Sequence, residues 1–331
     1  MAKVKLAMIG VGGMGRHHIR QILKQSATTE MTVLCDISPE QYATAAALFT
    51  EAGLTPPPNQ PDLGKLLREH AVDAAFIVTP HACHCEQAIA CLEAGVDVLL
   101  EKPMVMNAAE ANALIAARDR TGRLLVVAFP GSLSPQIRKA EKILRGPTGG
   151  KLLSISATAW QNWGAGTAGT WRQQPEISGG GFLFDTGAHM LNTVVDLAGE
   201  EFTEVAAFLD THNRPVETLG VVIGKLASGG YVTLHGCGEA IPSCSSNIYV
   251  FTDSLILRTG IWGELLEMQK SGEGKFHKVR IPPHLGVWEQ FLAVRAGTMP
   301  NPCPPEVGLR MARLYDAINA SAAQNGQPVH C

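Results

Sequence analysis

Residues 3–36 place a strand, a glycine-rich turn, a helix and a second strand in immediate succession, and that order limits the fold more than any other feature. Val4, Leu6, Met8 and Ile9 read as a buried strand. Gly10-Val11-Gly12-Gly13-Met14-Gly15 follows at once and fits G-x-G-x-x-G. Residues 17–24 then read as a helix, and residues 31–35 as a strand ending at Asp36. Gly10 permits the tight turn, Gly12 lets the backbone approach a pyrophosphate, and Gly15 lets the helix pack close to the strand. Free N–H groups at the helix start attract phosphates, so the segment is expected to bind a dinucleotide. Asp36 can accept hydrogen bonds from the adenosine ribose, and its charge repels a 2′-phosphate. NAD is therefore expected over NADP, with Gly10, Gly12, Gly13, Met14, Gly15, Asp36 and Ile37 as candidate contacts.

The rest of the first 129 residues repeats the same alternation. Strands are expected at residues 74–78, 96–100 and 124–128, with helices at 62–69, 84–94 and 108–121. This predicts a doubly wound parallel sheet whose ligand lies beyond the carboxyl ends of the strands. The Gly12 loop, Asp36, Thr79-Pro80 with His81, Lys102 and Phe129 all fall at such ends. A length of 331 residues suits two domains, expected here at 1–129 and 130–331.

Past Phe129 the texture changes. Helices are expected at residues 135–144 and 188–197, a strand at 151–160, and a long loop at 161–178. A series of strands then runs from 202 to 279, and helices near 288–296 and 306–322 follow. The expected second domain is an open-faced antiparallel sheet with helices on one face, giving an α/β plus α+β chain. The apolar face left over predicts oligomerisation.

Composition excludes other classes. A formal charge of -3 and no basic stripe argue against nucleic acid. No apolar run is long enough to cross a bilayer. Lys3 and Lys5 before apolar residues imitate a signal peptide, but the four glycines and Arg16, His17 and His18 break the pattern, so a cytoplasmic protein is expected. Eight cysteines without C-x-x-C suit reduced thiols. His81, Cys83, His84 and Cys85 are too crowded to share one metal, and no metal is expected.

Two further segments carry chemistry. Glu101-Lys102-Pro103 follows a strand and places a lysine where a nicotinamide would lie; Pro103 biases Lys102 away from helix. Gly179-Gly180-Gly181 precedes Asp185 and His189, which are four apart and would share a face on one helical turn. An acid and an imidazole so placed suit proton transfer near neutral pH, although a helix cap at Asp185 fits the same spacing.

Together these residues resemble the Gfo/Idh/MocA family of sugar and cyclitol oxidoreductases. The resemblance runs from the glycine fingerprint through Thr79-Pro80, His84, Glu101-Lys102-Pro103 and Asp185–His189 to the helix after Glu306-Val307-Gly308-Leu309. It implies a Rossmann domain joined to a sheet domain that mediates dimers or tetramers. It carries catalytic roles to Lys102, Asp185 and His189, and cofactor contacts to Thr79, Pro80, His81, His84, Glu101, Lys102, Trp171 and Arg172. The chain departs from the family at His81, where asparagine is common, and at Pro130-Gly131-Ser132-Leu133-Ser134, which intervenes where an arginine or tyrosine is common. Trp160 and Trp163 are candidate apolar walls for a sugar ring, or fillers of a domain junction.

The implied reaction moves a hydride between NAD and a secondary alcohol of a sugar, sugar derivative or cyclitol. His189 would take the alcohol proton, Lys102 would hydrogen-bond the same oxygen, and Asp185 would bind a neighbouring hydroxyl. Two alternatives stay open. One is glycoside cleavage through transient oxidation and elimination on tightly held NAD. The other is a non-catalytic sensor, which would have no use for the Lys102, Asp185 and His189 set.

Overall fold

Short apolar runs bounded by turn residues become strands buried on both faces. The computed structural model describes residues 2–331, which divide into two units. The first comprises the residues up to Val105, Ala109–Ala128 and Gly286–Pro305. Its elements begin with β1 (Val4–Ile9), α1 (Gly13–Ile22), β2 (Thr29–Cys35), α2 (Pro39–Glu51) and α3 (Leu63–Glu69). They continue with β3 (Ala74–Ile77), α4 (His84–Glu93), β4 (Asp97–Leu100), α5 (Ala108–Thr121, but for Ala108) and β5 (Leu125–Val127). All five strands are parallel, in the order β2-β1-β3-β4-β5. The order reverses between β1 and β3, the switch point beyond which ligands bind in open α/β sheets.

Helix α2 was not among the expected elements, though its signal is local. Ser38 Oγ accepts the Gln41 N–H at 3.3 Å and Pro39 takes the first helical position. The core of this unit joins Leu6, Met8, Leu34, Phe76, Leu99 and Val126 with Trp288 and Phe291. The Trp288 indole N–H also donates to Thr29 Oγ1 at 2.8 Å. A single boundary between residues 129 and 130 therefore misses the return of residues 286–305 to the first unit.

The second unit comprises Met106–Ala108, Phe129–Leu285 and Glu306–Cys331. It contains α6 (Pro130–Leu133), α7 (Pro135–Leu144), β6 (Leu152–Asn162), α8 (Trp163–Gly166), α9 (Pro175–Ser178) and α10 (Gly187–Ala198). Strands β7 (Phe202–Asp210), β8 (Leu219–Leu226), β9 (Tyr231–Cys237), β10 (Glu239–Thr252), β11 (Leu255–Thr259), β12 (Leu266–Lys270) and β13 (His277–Lys278) follow. Helix α11 (Val287–Arg295) belongs to the first unit; α12 (Pro305–Ala322) and β14 (Val329–His330) complete the second, but for Pro305. The nine-stranded sheet runs β13-β12-β11-β10-β6-β9-β8-β7-β14. It is antiparallel throughout except for β6 with β9, a parallel pair that the expectation of an antiparallel sheet did not include. The expected loop at 161–178 is broken into short helical turns, α8 and α9 among them.

Alternation along the strands separates the two faces of this sheet. In β8 and β9, Val222, Val232 and Leu234 are buried, while Val221, Ile223 and Tyr231 point the other way and stay exposed. Phe208 of β7 is also 62% exposed. Helix α10 packs against β6, and Ser321 of α12 accepts the Ala207 N–H at 2.9 Å. Among the described residues no helix is long and apolar enough to cross a membrane.

Candidate functional site

The glycine turn of the first unit is tight on one side and open on the other. Gly10 ends β1 with φ 84°, and a Cβ there would lie 2.6 Å from the Val78 carbonyl oxygen. A Cβ at Gly15 would lie 2.3 Å from the Gly10 carbonyl oxygen, so α1 sits hard against the turn. At Gly12 and Gly13 a Cβ would meet nothing within 4 Å. Gly12 is the N-cap of α1 and supplies no capping side chain. The first-turn N–H groups thus border open space, the cradle a pyrophosphate requires. Met14, 48% exposed, lies on the same turn.

Asp36 closes one end of this cradle. Its Oδ2 accepts the Val11 N–H at 2.8 Å and its Oδ1 accepts the Ser38 N–H at 2.9 Å. A carboxylate oxygen has two acceptor positions, so each retains one for a ribose hydroxyl. Ile37 beside it is 88% exposed. These residues fit a dinucleotide with an unmodified ribose.

The neighbouring strand ends are held by histidines. His84 is fully buried, with Nδ1 2.8 Å from the Pro103 carbonyl oxygen and Nε2 2.9 Å from that of Thr79. Burial drives this ring toward its neutral form, against the pull of the two carbonyls. Expected as a cofactor contact, His84 instead lies between the Thr79 and Pro103 carbonyls; as a neutral ring it has one N–H and donates to one of them. His81 is buried at 3% exposure. Thr79 Oγ1 donates to Gln87 Oε1 at 2.7 Å. Glu101 is likewise buried: its Oε1 lies 2.7 Å from His18 Nε2, and its Oε2 accepts the Lys102 N–H at 2.9 Å. Burial pushes the Glu101 carboxyl upward, but His18, Lys102 and that amide outweigh it and hold it below the ordinary range. Lys102 itself follows β4 at the carboxyl edge of the sheet, the edge on which the glycine turn follows β1.

In the second unit, Asp185 lies in a turn, and α10 begins only at Gly187. The expectation that Asp185 and His189 share one face of a helical turn is therefore corrected. Thr186, not Asp185, is the N-cap, and residues 182–186 form the turn that leads into the helix. The aspartate is fixed otherwise: Trp163 Nε1 and Arg172 Nε both donate to Oδ2, at 2.9 and 3.0 Å. Arg172 in turn lies over the Trp171 ring, its Cζ 4.6 Å from the centroid. The Trp171-Arg172 pair, expected to reach a cofactor, thus has a local task at Asp185.

The two candidate sugar walls separate. Ile155, Ala157 and Ala159 of β6 are buried, and alternation turns Trp160 to the opposite, open face of the sheet. Trp160 and Trp163 therefore do not share one environment. Trp163 is buried at 2% exposure in a cluster with Phe182 and Val216, and its indole N–H anchors Asp185. His189 is packed between other rings, with centroids 5.7 Å from Trp262 and 6.4 Å from Phe129.

Sequence reasoning missed three residues. Trp262 lies in the turn after β11, 73 positions from His189, and no local pattern marks it. His18 sits in a helix already explained by its glycines. Glu217 is buried and accepts the Gly181 N–H at 2.5 Å and the Tyr315 hydroxyl at 3.3 Å, locking the glycine turn that leads to Asp185. Among the described residues no group of three or more His, Cys, Asp or Glu side chains is placed to hold a metal ion.

Comparison with known proteins follows the same division. Residues 4–129 match the oxidoreductase family GFO/IDH/MocA, NAD-binding Rossmann fold, and residues 137–253 match the GFO/IDH/MocA C-terminal domain. The levoglucosan dehydrogenase of Pseudarthrobacter phenanthrenivorans is 29% identical over 241 residues, 69% of this chain and 60% of the relative. The inositol 2-dehydrogenase/D-chiro-inositol 3-dehydrogenase of Lactiplantibacillus plantarum is 22% identical over 214 residues, 64% of this chain and 57% of the relative. A levoglucosan dehydrogenase solved with NADH and L-sorbose superposes with a TM-score of 0.84 at 23% identity, covering 100% of this chain and 99% of the other. The chain's matches span 43–60% of the length of the first curated relatives.

Proposed function

Because the chain belongs to the GFO/IDH/MocA oxidoreductase family, we propose that it transfers a hydride between NAD and a secondary alcohol carbon of a sugar, sugar derivative or cyclitol. The observation that carries this reading is the placement of Lys102 on the same sheet edge as an open, uncapped dinucleotide cradle. Bound NAD supplies the hydride acceptor, or its donor in reverse. Lys102 hydrogen-bonds the reacting oxygen and stabilises its developing negative charge. His189 takes the alcohol proton. Asp185, held through one oxygen by Trp163 and Arg172, receives a neighbouring hydroxyl of the substrate. Trp262 and Phe129 pack against the imidazole of His189 and fix the position of its ring.

Asp36 supports NAD over NADP, because a 2′-phosphate would meet its charge. The names of the relatives support a polyhydroxylated ring as substrate. Thermal shift with NAD, NADH, NADP and NADPH tests the first point: a true ligand at a hundred times its Kd adds about 2.7 kcal/mol of stability. NAD or NADH is expected to raise the melting temperature and the phosphorylated forms are not. A panel of sugars, anhydrosugars and cyclitols, followed by reduced-nicotinamide absorbance, tests the second. Release of an aglycone with no accumulated NADH would replace net oxidation by transient oxidation and elimination. No stabilisation by either dinucleotide, and no turnover on the panel, would overturn the reading.

Oligomerisation through the open sheet face belongs to the same proposal. Val221, Ile223, Tyr231 and Phe208 give it an exposed apolar character suited to a second copy. Ile223→Lys is expected to lower the mass seen in sedimentation toward that of a monomer; an unchanged mass would remove this face from the interface. A cytoplasmic location fits this reading.

A further inference from the structure

We propose that His18 and Glu101 are positioning residues for Lys102, forming a buried bracket between the glycine-turn helix and the loop that carries the lysine. The inference rests on the reading of Lys102 as catalytic and adds what holds it in place. A lysine has a long, flexible stem, so its amine is only as well placed as the backbone that bears it. That backbone lies past the end of β4, where the sheet ladder no longer fixes it. Glu101 takes over: its own N–H donates to the Ile77 carbonyl at 2.9 Å, and its Oε2 accepts the Lys102 N–H. Its second oxygen is met by His18, 83 positions earlier in the chain, on the second turn of α1. A carboxylate only accepts, so His18 donates from Nε2. Phe76 of β3 backs the imidazole, with ring centroids 4.4 Å apart. On the far side, His84 Nδ1 meets the carbonyl of Pro103, the residue after Lys102.

Both His18 and Glu101 are 7% exposed. A buried carboxylate–imidazole contact of this kind is weak support for stability, since taking charge out of water offsets most of what the contact gains. Fixing a reacting group is a use that such a pair serves well: displacement of a catalytic atom by about 1 Å costs roughly 10²-fold in rate. The bracket also starts in the helix whose first turn borders the dinucleotide cradle, so cradle and lysine share one support.

A double-mutant cycle tests this, with kcat, KM, NAD affinity and melting temperature measured for each protein. Glu101→Ala is expected to lower kcat by at least about tenfold and to change KM and NAD affinity by less than about threefold. Glu101→Gln is expected to restore most of the rate, because its carbonyl can accept the Lys102 N–H and its amide can donate to His18. Should Glu101→Ala fail to fold, Glu101→Asp takes its place, since it keeps the charge but withdraws the carboxylate by one methylene. In a Lys102→Ala background either change is expected to have no further effect on kcat, as for residues acting as one unit. Effects of Glu101 and Lys102 that multiply would overturn the bracket alone, as would a Glu101→Gln protein no faster than Glu101→Ala. A Lys102→Ala protein with wild-type turnover would overturn the catalytic reading and the bracket with it, without reference to Glu101.

Discussion

Lys102→Ala and His189→Ala are each expected to retain NAD binding and to lose about 10²–10⁴-fold in turnover, the range typical of a positioned acid–base group. The two losses have different origins. Without Lys102 the negative charge developing on the substrate oxygen has no cationic donor. Without His189 the proton on that oxygen has nowhere to go at neutral pH. Neither change touches the glycine cradle: Gly10, Gly12, Gly13, Gly15 and Asp36 keep their contacts, so NAD should still raise the melting temperature of both variants. His189→Gln gives a useful control, since it can hydrogen-bond but cannot act as a base, and it should be nearly as slow as His189→Ala. If both alanine variants turn over at near wild-type rates on a substrate found by the panel, these residues are not the catalytic pair.

The parts of this site that the sequence disclosed are those written in local spacing. The fingerprint at residues 10–15 required only adjacency: a strand, three glycines and a helix start. Lys102 was legible because Leu100 ends a strand and a proline follows three residues later. Asp185 and His189 were found as residues but misread as geometry. Their spacing of four fits a helical face, yet Gly187 is where α10 starts, and a turn sets Asp185 apart. Trp160 could have been placed by parity, since Ile155, Ala157 and Ala159 mark the buried face of its strand and Trp160 is out of phase with them. Trp163, just past the strand end, has no such rule, and its partner Asp185 is 22 positions away. His18, Glu217, Trp262 and the return of Trp288 and Phe291 to the first unit share that limit. Each works through a partner dozens to hundreds of residues away, and periodicity carries no information at that range. The parallel pairing of β6 with β9 was hidden for a related reason: strands adjacent in the sheet are not adjacent in sequence.

Stability should fall as pH rises from about 5 to 8 through two buried carboxyls, Asp196 and Glu217. Burial pushes Asp196 up to about 7; Glu141 adds to the rise, while the Ser132 hydroxyl and the Arg310 and Arg145 charges oppose it. Burial pushes Glu217 up to about 7 as well, against hydrogen bonds that include the Gly181 amide and Tyr315. In the folded protein both groups keep their protons to near neutrality, whereas in the unfolded chain they release them near pH 4. Unfolding between these limits therefore releases protons, and each step up in pH favours the unfolded state. At about 1.4 kcal/mol per tenfold change in proton affinity, the loss is roughly 4 kcal/mol at Asp196 and roughly 3 kcal/mol at Glu217, spread from about pH 4 to above pH 7. His84 acts the other way: its folded pKa is lowered, so its contribution improves as pH rises toward 6.5. The wild-type slope is thus a sum, and the comparison of variants isolates the carboxyls. Asp196→Asn retains an acceptor for the Ser132 hydroxyl, and Glu217→Gln retains one for the Gly181 amide. Urea unfolding at pH 5 and pH 8 should show both variants losing less stability between the two than the wild type does. The double variant should lose least, since the sites have no partner in common. Slopes equal to the wild type in both would mean that these carboxyls are already ionised in the folded protein. Asp196 would then rest on the hydroxyl of Ser132 and its two arginines as a buried anion.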